Sequence, residues 1–308
     1  MLWPSGFIGI DWSGARGPHQ TGIQVALARP GRDAPTRVCP PASENWGREA
    51  IRDWLIDMAA ATPLGRPILV GIDFAFAHPF IDRHAYFPGL QDAPITPAAL
   101  WQLIDEVCCD EPHLYGGGFF LEAGFGEYYL SPRNPRAPRF ASRRRVTEIA
   151  ARKAGRSPSL TFKAIGADNV ATGSMAGMRL IHTLKADLTQ RLAVWPFDSV
   201  KKEGVLNLSM ILVEIFPSFY FHAVGMDPAR NAAANPAFLS RALAAYDSGG
   251  VHDGFKPRGK DADEADALIS AAALRYFSDR HDCWKTHAAA SQEGWIFGVP
   301  VDPKVAIG

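Results

Sequence analysis

A chain of 308 residues, 47% of them apolar and including 18 Phe and 8 Trp, is long enough to build a sizeable hydrophobic core. Basic and acidic residues balance at 32 each, which excludes a protein that is basic or acidic as a whole. Neither a leader with a basic start and an apolar centre nor an apolar run of membrane-spanning length occurs, so we expect no signal peptide, no membrane partner and a cytoplasmic location. The four cysteines lack zinc-ligand spacing and are expected to be reduced thiols: Cys39, Cys108, Cys109 and Cys283.

The first quarter of the chain predicts four strands and one helix. Apolar runs predict strands at 6–11 and 23–28 and a shorter strand near 36–39. Residues 45–60 repeat apolar side chains at helical spacing and predict an amphipathic helix. The run 68–73 predicts the fourth strand. Short connections between the first three strands favour a meander.

Predicted helices and strands alternate in the rest of the chain. In order, they are helices at 97–109 and 176–193, a strand at 210–216, a helix at 263–277 and a late edge strand near 295–299. Alternation of this kind favours parallel pairing within one sheet. The sequence therefore predicts an α/β fold in which a mixed five-stranded sheet carries helices on both faces, within a single domain over residues 1–308.

Positive charge is concentrated in residues 131–163, which hold ten basic residues against one acid, Glu148. This segment has a net charge of +9 and the remaining chain has −9. Its prolines predict that it begins as a loop. We expect residues 78–175 to form a large basic subdomain inserted between the fourth strand and the next core helix.

Two aspartates, Asp11 and Asp73, each close a predicted apolar strand. A carboxylate at the end of such a strand is costly to desolvate, so a metal ion, a hydrogen-bond network or a solvated cleft must compensate. If the two strands are parallel neighbours, the carboxylates lie within about 5 Å, which is one strand spacing. Glu214 follows another apolar run and adds a further acid of the same kind.

The last predicted helix begins with acidic residues, of which Asp263 and Asp266 are three apart and share one face. Packing of its apolar side on the sheet would bring these carboxylates to the strand ends. The alternative is that these acids only stabilise the first turn of the helix, where the helix dipole favours negative charge. They are Asp261, Asp263, Glu264 and Asp266.

A cluster of these carboxylates favours divalent-metal chemistry. Like charges raise one another's pKa, and a bound Mg²⁺ or Mn²⁺ would relieve that repulsion. Two such ions can stabilise the attacking and leaving oxygens when a phosphodiester is cleaved. The candidate catalytic residues are Asp11, Asp73, Glu214, Asp263 and Asp266.

Four motifs in order resemble the DUF429 family, whose members are predicted to be nucleases with a ribonuclease H-like fold. The motifs are residues 9–14 (GIDWSG), 70–75 (VGIDFA), 213–218 (VEIFPS) and 263–268 (DEADAL). The resemblance implies a ribonuclease H-like fold and metal-dependent hydrolysis of nucleic acid with Mg²⁺ or Mn²⁺, in the form of two ions. It also implies that Asp11, Asp73 and one or both of Asp263 and Asp266 are metal ligands, with Glu214 as a further ligand or a base that orients water.

The basic segment suggests how a nucleic-acid partner would be held. Arg143, Arg144, Arg145 and Lys163 are the candidate contacts to phosphates, because a basic surface beside an acidic cleft would offset its repulsion. The alternative is a solvated loop, or ion pairs with the acidic remainder of the chain. His78, shortly after the fourth strand, is either a proton shuttle or a structural histidine.

Two other functions fit parts of the sequence. Residues 9–14 also resemble the first phosphate loop of actin-like sugar kinases and ATPases, which implies an ATP-dependent phosphotransferase. Those proteins bind the nucleotide between two such domains. This chain has one series of motifs and no internal repeat, which argues against that function. A non-catalytic nucleic-acid-binding module with the same fold is the third possibility.

Overall fold

The computed structural model describes residues 4–166, 169–200, 205–227, 232–259 and 262–301. Its strands are β1 (Gly6–Asp11), β2 (Gln24–Ala28), β3 (Thr36–Arg37), β4 (Ile68–Ile72), β5 (Leu192–Val194) and β6 (Met210–Glu214). Its α-helices are α1 (Arg48–Ala61), α2 (Pro97–Val107), α3 (Val146–Lys153), α4 (Ala171–Leu188), α5 (Pro217–Ala223), α6 (Pro236–Ala244), α7 (Asp263–Ser278) and α8 (Ala290–Glu293). Asp261 lies outside the described residues. Within the described ranges, no helix is long and apolar enough to cross a membrane.

The strands form one mixed sheet in the order β3-β2-β1-β4-β6-β5. The first three strands pair antiparallel, and β1, β4, β6 and β5 pair in parallel. The predicted α/β class, the early meander and the parallel pairing are confirmed.

The predicted count of five strands is wrong, because the sheet has six. The sixth is β5, a three-residue edge strand whose first two residues fall in the predicted helix 176–193. That helix ends at Leu188, and Thr189 turns the chain with a positive φ of 46°. The apolar residues after the turn then extend along β6. The expected edge strand near 295–299 contributes a single bridge, between Ile296 and Glu214.

Each face of the sheet packs against helices through alternate residues of its strands. On one face Ile8, Ile10 and Ile72 join a cluster that includes residues of α1, α2 and α4. On the other face Phe7 and Leu69 join a cluster that includes residues of α5, α6 and α7. Successive residues of a strand therefore face the two helical layers in turn.

The segment predicted as an insertion, 78–175, contains α2 and α3. Its aromatic side chains Tyr86, Phe87, Phe119 and Phe162 are buried in the same cluster as Ile8 and Ile72. The start of its basic part, from 131 to 145, is loop, as the prolines predict, and α3 begins at Val146.

Candidate metal-binding carboxylate site

Asp11 and Asp73 lie side by side where two adjacent parallel strands end. Ile10 of β1 pairs with Ile72 of β4, and the backbone N–H of Asp73 donates a hydrogen bond to the Ile10 carbonyl at 3.0 Å. Each aspartate follows its paired isoleucine, so the two side chains leave the same edge of the sheet on the same face. Their backbones are about one strand spacing, 4.8 Å, apart. Both residues are half-buried.

Helix α7 adds Asp263 and Asp266 to this edge because it packs unusually close to β1. The approach depends on Gly9, since a Cβ atom there would lie 2.4 Å from the carbonyl oxygen of Ala267 and 2.7 Å from the backbone nitrogen of Ala271. Only a residue without a side chain allows this contact between the helix backbone and the strand. Gly9 is therefore a residue of the site that the sequence analysis did not identify, although a glycine inside an apolar strand is a usable signal.

Asp11 and Asp73 both feel the charge of Asp266. Burial raises the pKa of Asp11 well above its ordinary value, and the charges of Asp266, Asp73 and Asp263 raise it further. Burial also raises the pKa of Asp73, followed by the effects of Asp266 and Glu214. Within the described ranges neither Asp11 nor Asp73 forms an ion pair with a basic side chain. Asp11 and Asp73 therefore bring negative charge to the site that no basic side chain of the described residues neutralises.

The first turn of α7 is fixed by Glu264, a buried acid whose position the sequence does not reveal. Its carboxylate accepts a hydrogen bond from the Arg258 N–H at 2.7 Å, and its own N–H donates to the Arg258 carbonyl at 3.0 Å. Gly259 packs against Asp263, because a Cβ atom there would lie 2.2 Å from the carboxylate oxygen Oδ2. Ala262, just before the helix, has a left-handed φ of 70°. These contacts hold the acidic turn in place.

Glu214 lines the same cleft as Asp73 but is paired with a basic side chain. It pairs in register with Ile72, so alternation directs its side chain to the face opposite Asp73. There its two carboxylate oxygens accept hydrogen bonds from Arg145 at 2.7 and 2.6 Å, and one of them also accepts the Phe76 N–H at 3.1 Å. Its charge is therefore balanced by a buried cation, unlike those of Asp11 and Asp73.

Two of the predicted phosphate contacts are buried. Arg145 is 1% exposed and binds both Glu214 and Glu148. Arg143 is 7% exposed and forms an ion pair with Asp82, at 2.6 Å, as well as hydrogen bonds to backbone carbonyls. Both guanidiniums are almost completely buried and bound by these partners, although Arg145 also forms part of the wall of a cleft at the carboxylate edge.

The other two predicted phosphate contacts are partly exposed. Arg144 donates a hydrogen bond to the Pro158 carbonyl at 2.7 Å, and Lys163 is half-buried. Neither residue lines the clefts at the carboxylate edge that are described next.

Two clefts open at the carboxylate edge. The Asp11 cleft, of about 730 Å³, includes Asp11, Asp263 and Asp266 in its walls. The Asp73 cleft, of about 600 Å³, includes Asp73 and the Arg145–Glu214 pair.

A ridge is shared by both clefts and consists of Trp12, Gly14, Asn169 and Gly173. It is tightly packed, since the Trp12 indole N–H donates to the Gly173 carbonyl at 3.0 Å. A Cβ atom on Gly14 would lie 2.3 Å from the backbone nitrogen of Gly173. The start of α4 thus lies against the loop that follows β1.

The donor set suits a hard divalent cation. All four aspartates offer carboxylate oxygens, which Mg²⁺ and Mn²⁺ prefer, and their mutual repulsion would fall on binding a cation. Among the described residues, no group of three or more His, Cys, Asp or Glu side chains is arranged so that it could hold a metal ion. The chemistry of the residues therefore fits a cation, whereas a finished coordination sphere is not present among them.

His78 lies away from both clefts, in an aromatic cluster. It is fully buried, stacks on Phe162 with ring centroids 4.6 Å apart, and shares a 2.7 Å hydrogen bond between Nε2 and the Tyr129 hydroxyl. Burial lowers its pKa well below the ordinary value, and the charges of Arg145 and Arg143 lower it further. These contacts favour the structural interpretation of His78 over the proton shuttle.

Comparisons of the chain with known protein families, with curated proteins and with solved structures found no match. The resemblance of its four motifs to the DUF429 family stays a prediction.

Proposed function

We propose that the protein is a divalent-metal-dependent hydrolase that cleaves phosphodiester bonds of nucleic acid, with Mg²⁺ or Mn²⁺ as cofactor and a ribonuclease H-like core. One observation carries the proposal. Asp11 and Asp73 end adjacent parallel strands on one face, below the acidic first turn of α7, and form no ion pair within the described residues. The expected ribonuclease H-like fold is consistent with the meander followed by parallel strands.

The residues have distinct parts in this proposal. Asp11 and Asp73 would hold the metal from the sheet, and Asp263 and Asp266 would hold it from α7. A bound divalent cation supplies charge stabilisation to the phosphoryl oxygens and a more acidic water molecule. Glu214, neutralised by Arg145, would position the segment after β4 rather than act as a ligand, because it accepts the N–H of Phe76.

The proposal is tested by cleavage assays with Mn²⁺ on labelled single-stranded and duplex DNA and RNA. Asp11→Asn is expected to abolish cleavage, because it removes one charge from the site while it keeps the side-chain volume. Asp57→Asn, at an exposed position of α1, is the control and is expected to cleave like the wild type. Unchanged cleavage by the Asp11 variant would remove Asp11 from the mechanism.

The phosphotransferase alternative has one observation in its favour. Residues 12–14 pack on the first turn of α4, an 18-residue helix whose N-terminus could approach a phosphate. This alternative predicts calorimetric binding of ATP with Mg²⁺. The hydrolase predicts Mn²⁺ binding in the absence of ATP, and a non-catalytic module predicts nucleic-acid binding that is indifferent to metal.

A further inference from the structure

Arg133, another arginine of the basic segment, lies at the Asp11 cleft, unlike the buried Arg143 and Arg145. Arg133 lines this cleft, is exposed to solvent, and has no hydrogen-bond or ion-pair partner among the described residues. It belongs to a turn that is closed by backbone hydrogen bonds between Ser131 and Asn134, at 3.3 and 3.0 Å. The turn is anchored because the Asn134 side-chain N–H donates to the Gly126 carbonyl at 3.2 Å. An anchored loop with an uncommitted guanidinium is suited to bind an anion.

A second guanidinium and an aromatic ring line the same cleft. The side chain of Arg16 is 71% exposed, and its guanidinium carbon lies 5.1 Å from the ring centroid of Tyr115. Its ion pair with Glu111 is long, at 3.4 Å, and an exposed pair of this kind is weak enough to be exchanged for a phosphate. Basic groups interleaved with aromatic faces are typical of surfaces that bind single-stranded nucleic acid.

The shape of the cleft limits what can enter. A volume of about 730 Å³ is in the range of pockets that enclose small ligands. It has room for a short stretch of single strand, whose flexible backbone can follow the cleft more closely than a stiff double helix can. Asp11 is half-buried in the wall, and a flexible single strand can bring its backbone to this carboxylate.

We propose that Arg133, together with Arg16, contacts the phosphates of a single-stranded nucleic acid bound in the Asp11 cleft. This inference rests on the proposed function, because it assigns that function's substrate. Arg133 is placed to meet a substrate, whereas two arginines that the sequence favoured are committed to carboxylates of the protein: Arg143 to Asp82 and Arg145 to Glu214. Its guanidinium would offset the repulsion between the substrate phosphates and the aspartates of the same cleft.

The chain offers a matched control in Arg136. It lies in the same loop, is exposed, and has no hydrogen-bond or ion-pair partner among the described residues, but it does not line either cleft. A general effect of surface charge would therefore be equal in Arg133→Ala and Arg136→Ala. A specific contact would appear only in the first variant and would be largely restored in Arg133→Lys, which keeps the charge.

The test measures the fluorescence anisotropy of a short labelled oligothymidylate with hydrolysis-resistant phosphorothioate linkages, in Mn²⁺, over a series of NaCl concentrations. Arg133→Ala is expected to weaken binding roughly threefold at low salt and to reduce the slope of log K against log salt by about 0.7, the loss of one phosphate contact. Arg136→Ala is expected to leave both values close to those of the wild type. A duplex of the same sequence is expected to bind much more weakly.

Equal losses in the two alanine variants, an unchanged Arg133→Ala variant, or a wild type that does not bind the oligonucleotide would each overturn the inference. Duplex binding as strong as single-strand binding would overturn the choice of substrate. Arg133-dependent binding without cleavage of ordinary oligonucleotides would refute only the proposed hydrolysis. Cleavage that is insensitive to Arg133 would refute only the assigned contact.

Discussion

The guanidinium of Arg145 donates one hydrogen bond to each carboxylate oxygen of Glu214, at 2.7 and 2.6 Å, and both side chains are almost completely buried. The pair joins the start of α3 to the end of β6, two elements far apart in the chain. The acids at this edge of the sheet therefore differ in charge balance. Glu214 is neutralised by Arg145, whereas Asp11 and Asp73 repel each other. The aspartates, and not Glu214, therefore carry the negative charge that a bound cation would neutralise.

Removing the cation of this pair should destabilise the protein strongly. Arg145→Met leaves Glu214 and Glu148 buried without their partner, which is expected to cost about 3–5 kcal/mol in the free energy of unfolding. Arg152→Met, at an exposed position of α3, should change it by less than about 0.5 kcal/mol. Urea denaturation measures both values. Equal stabilities of the two variants would show that the buried pair contributes nothing.

The contact between α7 and β1 can be tested at Gly9. Gly9→Ala places a methyl group against the backbone of α7, so we expect a loss of about 1–3 kcal/mol or more in stability and weaker Mn²⁺ binding, since α7 carries Asp263 and Asp266. Gly6→Ala is the matched control on the same strand, because its Cβ atom would meet Leu27 at an ordinary 3.5 Å. Calorimetry and thermal denaturation separate the two effects. Normal Mn²⁺ binding by a folded Gly9→Ala protein would refute this role of the close contact.

His78 should make the protein less stable in mild acid. Burial keeps its pKa low in the folded state, whereas the unfolded chain takes up a proton near pH 6.5. The unfolded state therefore binds more protons below that pH, and stability falls by up to about 1.4 kcal/mol per pH unit as pH decreases. His78→Gln should remove this part of the pH dependence between pH 7.5 and 5, measured by urea denaturation. An unaltered pH profile in the variant would contradict the prediction.

The sequence predicts the strands that carry the site because their signals are local. The apolar runs that end at Asp11 and Asp73 each specify a buried strand, and the helical spacing after Asp263 specifies α7. The alternation of elements predicts the parallel pairing, whereas the order of the strands is seen only in the structure. In contrast, β5 is too short and too close to α4 for its apolar residues to be distinguished from the end of a helix.

The side-chain partners could not be predicted because they come from distant parts of the chain. Arg145 looks like one of ten exposed basic residues, and only the folded structure brings it to Glu214, 69 positions away. The difference between Glu214 and Asp73 depends on register, since a shift of one residue moves a side chain to the opposite face. Arg133 and Arg136 cannot be distinguished in the sequence, because both lie in the same basic stretch. Only the position of the cleft distinguishes them.

The repulsion among the aspartates predicts a gain in stability when one charge is removed. The pKa of Asp73 is raised in the folded state, so its ionised form destabilises the metal-free protein at every pH above the unfolded value near 3.9. Asp73→Asn should therefore raise the free energy of unfolding at pH 7 in EDTA, because it removes the repulsion and the burial cost of this charge. Asp57→Asn should not. A less stable Asp73→Asn protein would show that this carboxylate is stabilised in a way that the site does not explain.

Calorimetric titration of Mn²⁺ into the metal-free protein tests most directly whether the aspartates hold a divalent cation. Binding is expected in the wild type and in Asp57→Asn, and it should be lost in Asp11→Asn and Asp73→Asn. A concentration of about 100 times Kd should also stabilise the wild type by about 2.7 kcal/mol. Mn²⁺ binding of equal affinity in the wild type and both site variants, or no binding by the wild type, would contradict the central claim.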